Sequence, residues 1–252
     1  MSRQRLAKRL AWQRAIHDPV RQPLNRLPTL KLLRAWQTQR LADGFKDFLA
    51  NPRMRPAAQF FLTDLYGDKD FSARDRDVAR IMPIMSRLLP ETLIAAATDA
   101  IELAVLSHAF DLRMARSLAN RPQPMAPVSV QDYAAAYRET GNPRLRRHQI
   151  ELVLGVGWTL DAAVRKHGVF KLLRASRFPA RAAGLSELQG FLERGFGAFE
   201  ELDGAGEFLE AIGHRERQVS SRLFDGDPDP FRPEVSRTPR RGSAGSRARS
   251  DP

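Results

Sequence analysis

Two pairs of a histidine and a carboxylate stand at the spacing that places side chains on one face of a helix. Asp111 follows His108 by three positions, and Glu151 follows His148 by three. Helical bundles bind metal ions through such inward-facing side chains. The di-iron pattern, however, needs Glu-x-x-His twice and two further Glu residues, and here the order is reversed. We therefore expect surface ion pairs, and we expect no metal, with His108, Asp111, His148 and Glu151 as weak candidates only.

Other catalytic chemistry finds little support in the sequence. The chain has no cysteine, which excludes disulfides, thiolate metal ligands and a cysteine nucleophile. It has no G-x-S-x-G motif, and Gly155 and Gly157 lack the third glycine of a dinucleotide-binding loop. We expect no cofactor, with haem ligation by His108, His148 or His167 as an alternative.

The elements that must position these residues are predicted to be helices. Leu, Ala, Arg and Glu are abundant, whereas Val and Thr are sparse, and this composition favours helices over strands. We predict an all-α, bundle-like single domain of about eight or nine helices over residues 27–224. The predicted helices cover residues 2–17, 29–49, 91–119, 130–140, 143–166, 169–175, 186–202 and 205–224, with two more between residues 56 and 89.

Segments of a different character flank the predicted domain. Residues 1–26 form a basic N-terminal arm that is able to make a short helix, although the sequence does not decide whether it is ordered. Residues 225–252 contain few apolar residues and many Pro, Arg, Ser, Gly and Asp, so we predict a disordered tail.

The positive charge of the chain is concentrated at its N-terminus. The net charge is +12, and residues 1–55 carry 13 Lys and Arg against 3 Asp and Glu, whereas residues 56–224 carry 22 against 21. A basic segment that also holds tryptophans is typical of binding to nucleic acid or to an anionic membrane surface. The candidates for anion binding are Arg3, Arg5, Lys8, Arg9 and Arg14.

A dense block of aromatic and aliphatic residues follows a proline at position 56. Its apolar positions have helical spacing and indicate a buried core stripe, with a partner-binding anchor as the alternative. Asp64 and Tyr66 are the polar members able to be buried and paired, with Arg74, Arg76 or Arg80 as candidate partners, and we expect Thr63 to face solvent. The block consists of Phe60, Phe61, Leu62, Thr63, Asp64, Leu65 and Tyr66.

This block resembles the signature of the bacterial FFLEELY motif proteins, with Thr63 in place of the first Glu and Asp64 in place of the second. The resemblance extends over about residues 27–231, and its last part is the stretch from Asp227 to Phe231. It implies a fold class and little chemistry.

These observations predict a non-catalytic helical interaction protein of the bacterial cytoplasm with a protein partner. The alternatives are a nucleic-acid-associated protein that acts through its basic N-terminal segment and a metal- or cofactor-dependent helical enzyme built around His108 and His148. The N-terminus lacks the apolar stretch of a secretory signal, and no run of uncharged apolar residues is long enough to span a membrane, so we expect a cytoplasmic protein.

Overall fold

A computed structural model of the chain describes residues 2–65, 77–78, 80–81, 91–166 and 169–233, and within these residues all regular structure is helical. The predicted all-α class is therefore confirmed. Eight of the eleven α-helices in this described part of the chain have at least seven residues. The helices are α1 (Ser2–His17), α2 (Pro28–Gly44), α3 (Lys46–Ala50), α4 (Arg55–Phe60), α5 (Glu91–Ala119), α6 (Val130–Thr140), α7 (Pro143–Val164), α8 (Val169–Ala175), α9 (Arg177–Ala182), α10 (Ser186–Leu202) and α11 (Gly206–Asp225).

Helix α5 is the central element, as its apolar composition predicts. It is 29 residues long and packs against α1, α2, α6 and α7. Its side chains Ile94, Val105 and Met114 are completely buried although they lie far apart along the helix. Because neighbours surround it, polar side chains of α5 come to lie between helices.

Local sequence signals set the start of α6 and α7. The Ser129 hydroxyl accepts a hydrogen bond from the Asp132 backbone N–H at 3.1 Å, and the Asp132 carboxylate accepts one from the Ser129 backbone N–H at 3.1 Å. This is a capping box with Asp in the place of Glu. At α7, the Asn142 side chain accepts from the backbone N–H groups of Arg144 and Leu145.

Two helices differ from the sequence prediction. The helix predicted over residues 29–49 is interrupted at Phe45, where the backbone leaves helical geometry (φ −108°) after Gly44, a weak helix former. The break divides the segment into α2 and α3 and leaves the rings of Phe45 and Phe48 buried in contact with each other. Helix α9 was not predicted, because it has no buried residue and hence no apolar periodicity, with Phe178 82% exposed.

Some sequence predictions lie outside the described residues. These are most of the helix between residues 72 and 89, the last motif residue Tyr66, the arginines Arg74 and Arg76, and His167.

The buried apolar side chains form two main clusters. We call the first the α5 cluster, and it is mainly aliphatic. We call the second the phenylalanine cluster, and it lies between α3, α4, α10 and α11. The α5 cluster includes Leu6, Leu10, Leu33, Ile94, Ile101, Val105 and Leu112. The phenylalanine cluster includes Phe45, Phe48, Phe60, Phe61, Phe199 and Phe208.

The packed body continues beyond residue 224, the predicted end of the domain. The ring centroid of Phe231 lies 5.6 Å from that of Trp36 and 5.9 Å from that of Tyr133, and the Arg40 guanidinium lies 5.1 Å from the Phe231 ring. Most of the predicted tail, residues 234–252, lies outside the described residues. Over the part of the chain that the structure describes, no helix is long and apolar enough to cross a membrane.

Candidate functional site

His108 lies at the centre of a polar network between α1, α2 and α5. Its Nε2–H donates to Asn25 Oδ1 at 2.8 Å, and its Nδ1 accepts from Arg34 Nη2 at 2.8 Å. Its ring also stacks on that of His17, with centroids 4.2 Å apart. Since an arginine cannot accept a hydrogen bond, this geometry requires the neutral Nε2–H tautomer of His108.

The surroundings of His108 oppose its protonation. Burial, the nearby ring of His17 and the charge of Arg34 together lower the pKa of His108 to about 3. A proton on Nδ1 would face the Arg34 N–H group, which gives the same direction on geometric grounds. We conclude that His108 is neutral at physiological pH.

Asp111 lies one helical turn after His108 and shares its arginine. Gln37 Nε2 donates to Asp111 Oδ1 at 3.2 Å, and Arg34 Nε lies 3.6 Å from the other carboxylate oxygen. Burial raises the pKa of Asp111 above its ordinary value, against the opposing effects of Arg34, Gln37 and Arg146. Neighbouring groups whose pKa values are shifted in this way mark a candidate functional site, although structural networks produce the same pattern.

Arg146 is a buried arginine held mainly by aromatic rings. Its guanidinium lies 3.7 Å from the ring centroid of Phe110 and 4.2 Å from that of Tyr137, and 6% of the residue is exposed. Its Nη groups donate to Gln149 Oε1 and to Met114 Sδ. Among the described residues, Nε has no hydrogen-bond partner.

A second network lies where α1, α5 and α7 meet, around Glu102. Glu102 Oε2 accepts from Arg9 Nε at 2.9 Å, Oε1 accepts from His148 Nε2 at 3.1 Å, and Arg5 lies 3.7 Å away. Burial alone would raise the pKa of Glu102, but His148 and Arg9 outweigh it, and the pKa lies below its ordinary value. Glu102 is therefore an ionised carboxylate that joins three helices.

The four weak metal candidates lie in different places. His108 and Asp111 lie in the network between α1, α2 and α5, His148 donates to Glu102, and Glu151 accepts from Arg217 of α11 at 2.8 Å. The two side chains of each i,i+3 pair therefore contact other helices. Over the described ranges, no three His, Asp or Glu side chains are grouped as a metal ion would require.

The aromatic block is a core element with one buried carboxylate. Phe60 and Phe61 are buried, Thr63 is exposed as expected, and residues 61–65 form a π-helical turn. Asp64 is buried and paired, and one of its partners is Arg194 of α10, whose Nη2 lies 2.6 Å from Oδ1. The sequence did not predict this contact, because 130 residues separate the two side chains, and the expected pairing with Arg74 or Arg76 stays a prediction because both lie outside the described residues. Of the arginines expected there, Arg80 instead donates to backbone carbonyls of residues 183 and 184.

The basic N-terminal segment is largely neutralised by the protein itself. At least seven of the 13 cations in residues 1–55 form ion pairs, for example Arg5 and Arg9 with the carboxylates of α5. Lys8 is exposed and has no ion pair among the described residues. Arg14 is engaged in a further interaction, and the Arg3 side chain is outside the described part of the chain.

The sequence identified the histidines as candidates, but it did not identify the side chains that bind them. Asn25, Arg34 and Gln37 reach α5 from a short 3₁₀ helix (Pro23–Arg26) and from α2, and the sequence shows no pattern that pairs them with His108 or Asp111. Arg146 carried no such signal either, because it lies between Leu145 and Arg147 in an arginine-rich first turn of α7.

The fold and these networks define an all-α domain whose buried polar side chains connect its helices. A family model, Domain of unknown function (DUF8198), matches residues 17–230, and the chain belongs to this family. Comparison with curated proteins and with solved structures gave no match.

Proposed function

We propose that this protein is a non-catalytic helical interaction protein of the bacterial cytoplasm. The observation that carries the proposal is that the side chains best suited to chemistry bind other helices. Both ring nitrogens of His108 are engaged, and His148 and Glu102 bind each other. Side chains used in this way position helices, and the function then rests on the surface that the helices present.

Native mass spectrometry of the full chain, purified without chelators and at low salt, tests this proposal. We expect the mass of the polypeptide alone or of a complex with a second protein. A metal ion, haem or small organic molecule bound in stoichiometric amount would overturn the proposal in favour of the metal- or cofactor-dependent enzyme.

A second candidate is a nucleic-acid-associated protein that acts through residues 1–55. Its support is a set of exposed cations without ion pairs among the described residues, namely Lys8, Arg26 and Lys31, together with the partly exposed Trp12. Such cations release counterions from the phosphate backbone on binding, which makes the affinity depend on salt.

Charge reversal tests this second candidate better than truncation. Deleting residues 1–26 would remove Leu6 and Leu10 from the α5 cluster and would disturb folding. The variant K8E/K31E retains these anchors, and K166E/K171E, at two exposed lysines outside the segment, is a control with the same change in charge. Binding of a short DNA duplex should weaken in K8E/K31E alone, with a salt slope smaller by about 1 for each lost phosphate contact. Equal binding by both variants would end this hypothesis.

The resemblance to FFLEELY motif proteins fits within this family assignment. We propose that residues 60–66 are the family's signature in this chain and that their role is packing. The burial of Phe60 and Phe61 between α4, α10 and α11 supports this role.

A further inference from the structure

Helix α1 lies along α5 in the manner of a bound amphipathic helix. Leu6, Leu10, Gln13 and Ile16 recur every three or four residues and are all buried, and the principal contact of α1 is with α5. The three apolar anchors join the α5 cluster together with Ile94, Ile101 and Val105. We call the part of α5 that α1 covers the covered face of α5.

The covered face and its occupant have complementary charges. Asp99 and Glu102 of α5 lie beside the apolar contact, and they bind Arg5 and Arg9 of α1. These arginines precede the anchors Leu6 and Leu10 by one position each. The covered face therefore recognises a basic amphipathic helix through apolar anchors with adjacent cations, which is helix-in-groove recognition.

The fit of α1 is incomplete at one position. Gln13 is 5% exposed, and its side-chain oxygen accepts no hydrogen bond from any described residue. A buried acceptor without a donor weakens an association, so a helix with an apolar residue at this position would bind the same face more tightly.

Helix α1 is also set apart from the rest of the chain in the sequence, although its contact with α5 is extensive. The family match begins at residue 17, so nearly all of α1 precedes the family domain. A connection containing Pro19 and Pro23 leads from α1 to α2. A helix of 16 residues is marginally stable by itself, so α1 depends on docking and on the high effective concentration that the connection provides.

From these observations we propose that the covered face of α5 is a docking site for a basic amphipathic helix of a partner protein, and that α1 is its intramolecular competitor. A partner helix with Arg or Lys next to its apolar anchors, and with an apolar residue in the position of Gln13, displaces α1. This inference rests on the proposed function and names the surface and the chemistry of the partner.

A labelled synthetic peptide of residues 2–17 carrying Q13L is the probe, and the full chain is the receptor. We expect binding by the wild-type chain, and binding at least about tenfold tighter by the variant L6S/L10S, because its own α1 competes less. The milder variant R5Q/R9Q keeps the apolar anchors and should show a smaller gain, which guards against misfolding of the first variant. Changes on α5 are not informative, since they weaken both helices alike.

Two matched peptides test the chemistry of recognition. The unchanged peptide of residues 2–17 should bind several-fold more weakly than its Q13L form, and a peptide carrying R5E and R9E should lose binding. Hydrogen exchange should show faster exchange of the chain's own residues 2–17 when the Q13L peptide is added, with residues 91–119 still protected.

Several results would overturn the inference. They are equal affinity of the wild-type chain and both α1 variants, equal affinity of the three peptides, or unchanged exchange of residues 2–17. A wild-type dimer in sedimentation that dissociates in R5Q/R9Q would identify α1 of a second copy as the occupant and exclude the partner helix.

If native mass spectrometry shows a bound protein while the peptides fail, only this inference falls. If it shows a cofactor while the peptides bind, the non-catalytic function falls and the docking site stands.

Discussion

The α5 cluster and the phenylalanine cluster differ in the number of buried polar side chains that lie beside them. Six of the eight buried polar or charged residues among those described lie in the region of α5, and only Asp64 and Asp161 lie near the phenylalanine cluster. Both carboxylates have hydrogen-bond donors, since Arg194 binds Asp64, and Asp161 accepts from Arg165 and from the Ala205 backbone N–H. The phenylalanine cluster instead relies on ring contacts, such as Phe208 with Phe48 at 5.1 Å and with Phe61 at 5.6 Å.

Because of this difference, we expect the two regions to differ in how their contribution to stability depends on pH. Burial of apolar rings depends little on pH, whereas the buried His108 and the partly buried Asp111 link folding to protonation. Helix α7 connects the two regions, because it contributes Arg146 near α5 and Leu154 to the phenylalanine cluster. The four predictions that follow test this division.

The largest expected effect is in the phenylalanine cluster. Phe208 has no exposed surface, so F208A should lower the free energy of unfolding by about 3–5 kcal/mol through lost burial and the cavity left behind. Denaturant titration at pH 7 and at pH 5 measures this loss, which should be similar at both values. A loss that changes strongly between the two pH values would contradict the division.

The second effect belongs to the α5 region and depends on pH. The pKa of His108 is about 3 in the folded chain and about 6.5 when unfolded, so between these values the unfolded state binds more protons. Stability should therefore fall as the pH drops below 6.5, by about 1.4 kcal/mol per unit from this group.

Comparing the wild-type chain with H108Q isolates this contribution. Relative to the variant, the wild type should lose about 2 kcal/mol between pH 6.5 and pH 5, because the other titrating groups are common to both proteins. Denaturant titrations at pH 7, 6 and 5 give the two curves. A constant difference between them would show that His108 does not couple folding to pH.

The third effect is at the contact between α7 and α11. A Cβ atom on Gly157 would lie 2.5 Å from Cδ2 of Leu209, a completely buried side chain. We expect G157A to cost about 1–2 kcal/mol, because close packing leaves Leu209 little room to move. Thermal unfolding provides the measurement, and a variant as stable as the wild type would mean that α11 repacks freely.

The smallest effect comes from the neighbouring glycine, which is the matched control. Gly155 lies on the same helix and has no atom within 4 Å of its Cβ position. G155A should stabilise the chain by about 0.5–1 kcal/mol, since alanine loses less backbone freedom in a helix. A loss of stability in G157A together with a gain in G155A would establish that α7 has one packed and one open face at this level. A loss in G155A similar to that in G157A would contradict this reading.

The sequence alone was sufficient for most helix boundaries but not for side-chain partners. The apolar pattern and Pro143 located α5, α6 and α7 to within a few residues, because helical periodicity and helix ends are local properties. The same reasoning found His108, Asp111, His148 and Glu151, but it assigned each to a neighbour on its own helix. In the structure their partners come from other helices. No local sequence pattern shows which of the chain's many arginines will lie beside a given carboxylate or histidine.

What the sequence by itself determined is therefore the helical class, the central place of α5 and the packing role of Phe60 and Phe61. These follow from the spacing of apolar residues, which acts within one or two helical turns. Only the tertiary structure decided that Arg9 and His148 bind Glu102, that Arg194 binds Asp64, and that α1 covers α5. Those contacts join residues up to 130 positions apart, and the competition between alternative ion pairs is resolved only when whole helices pack.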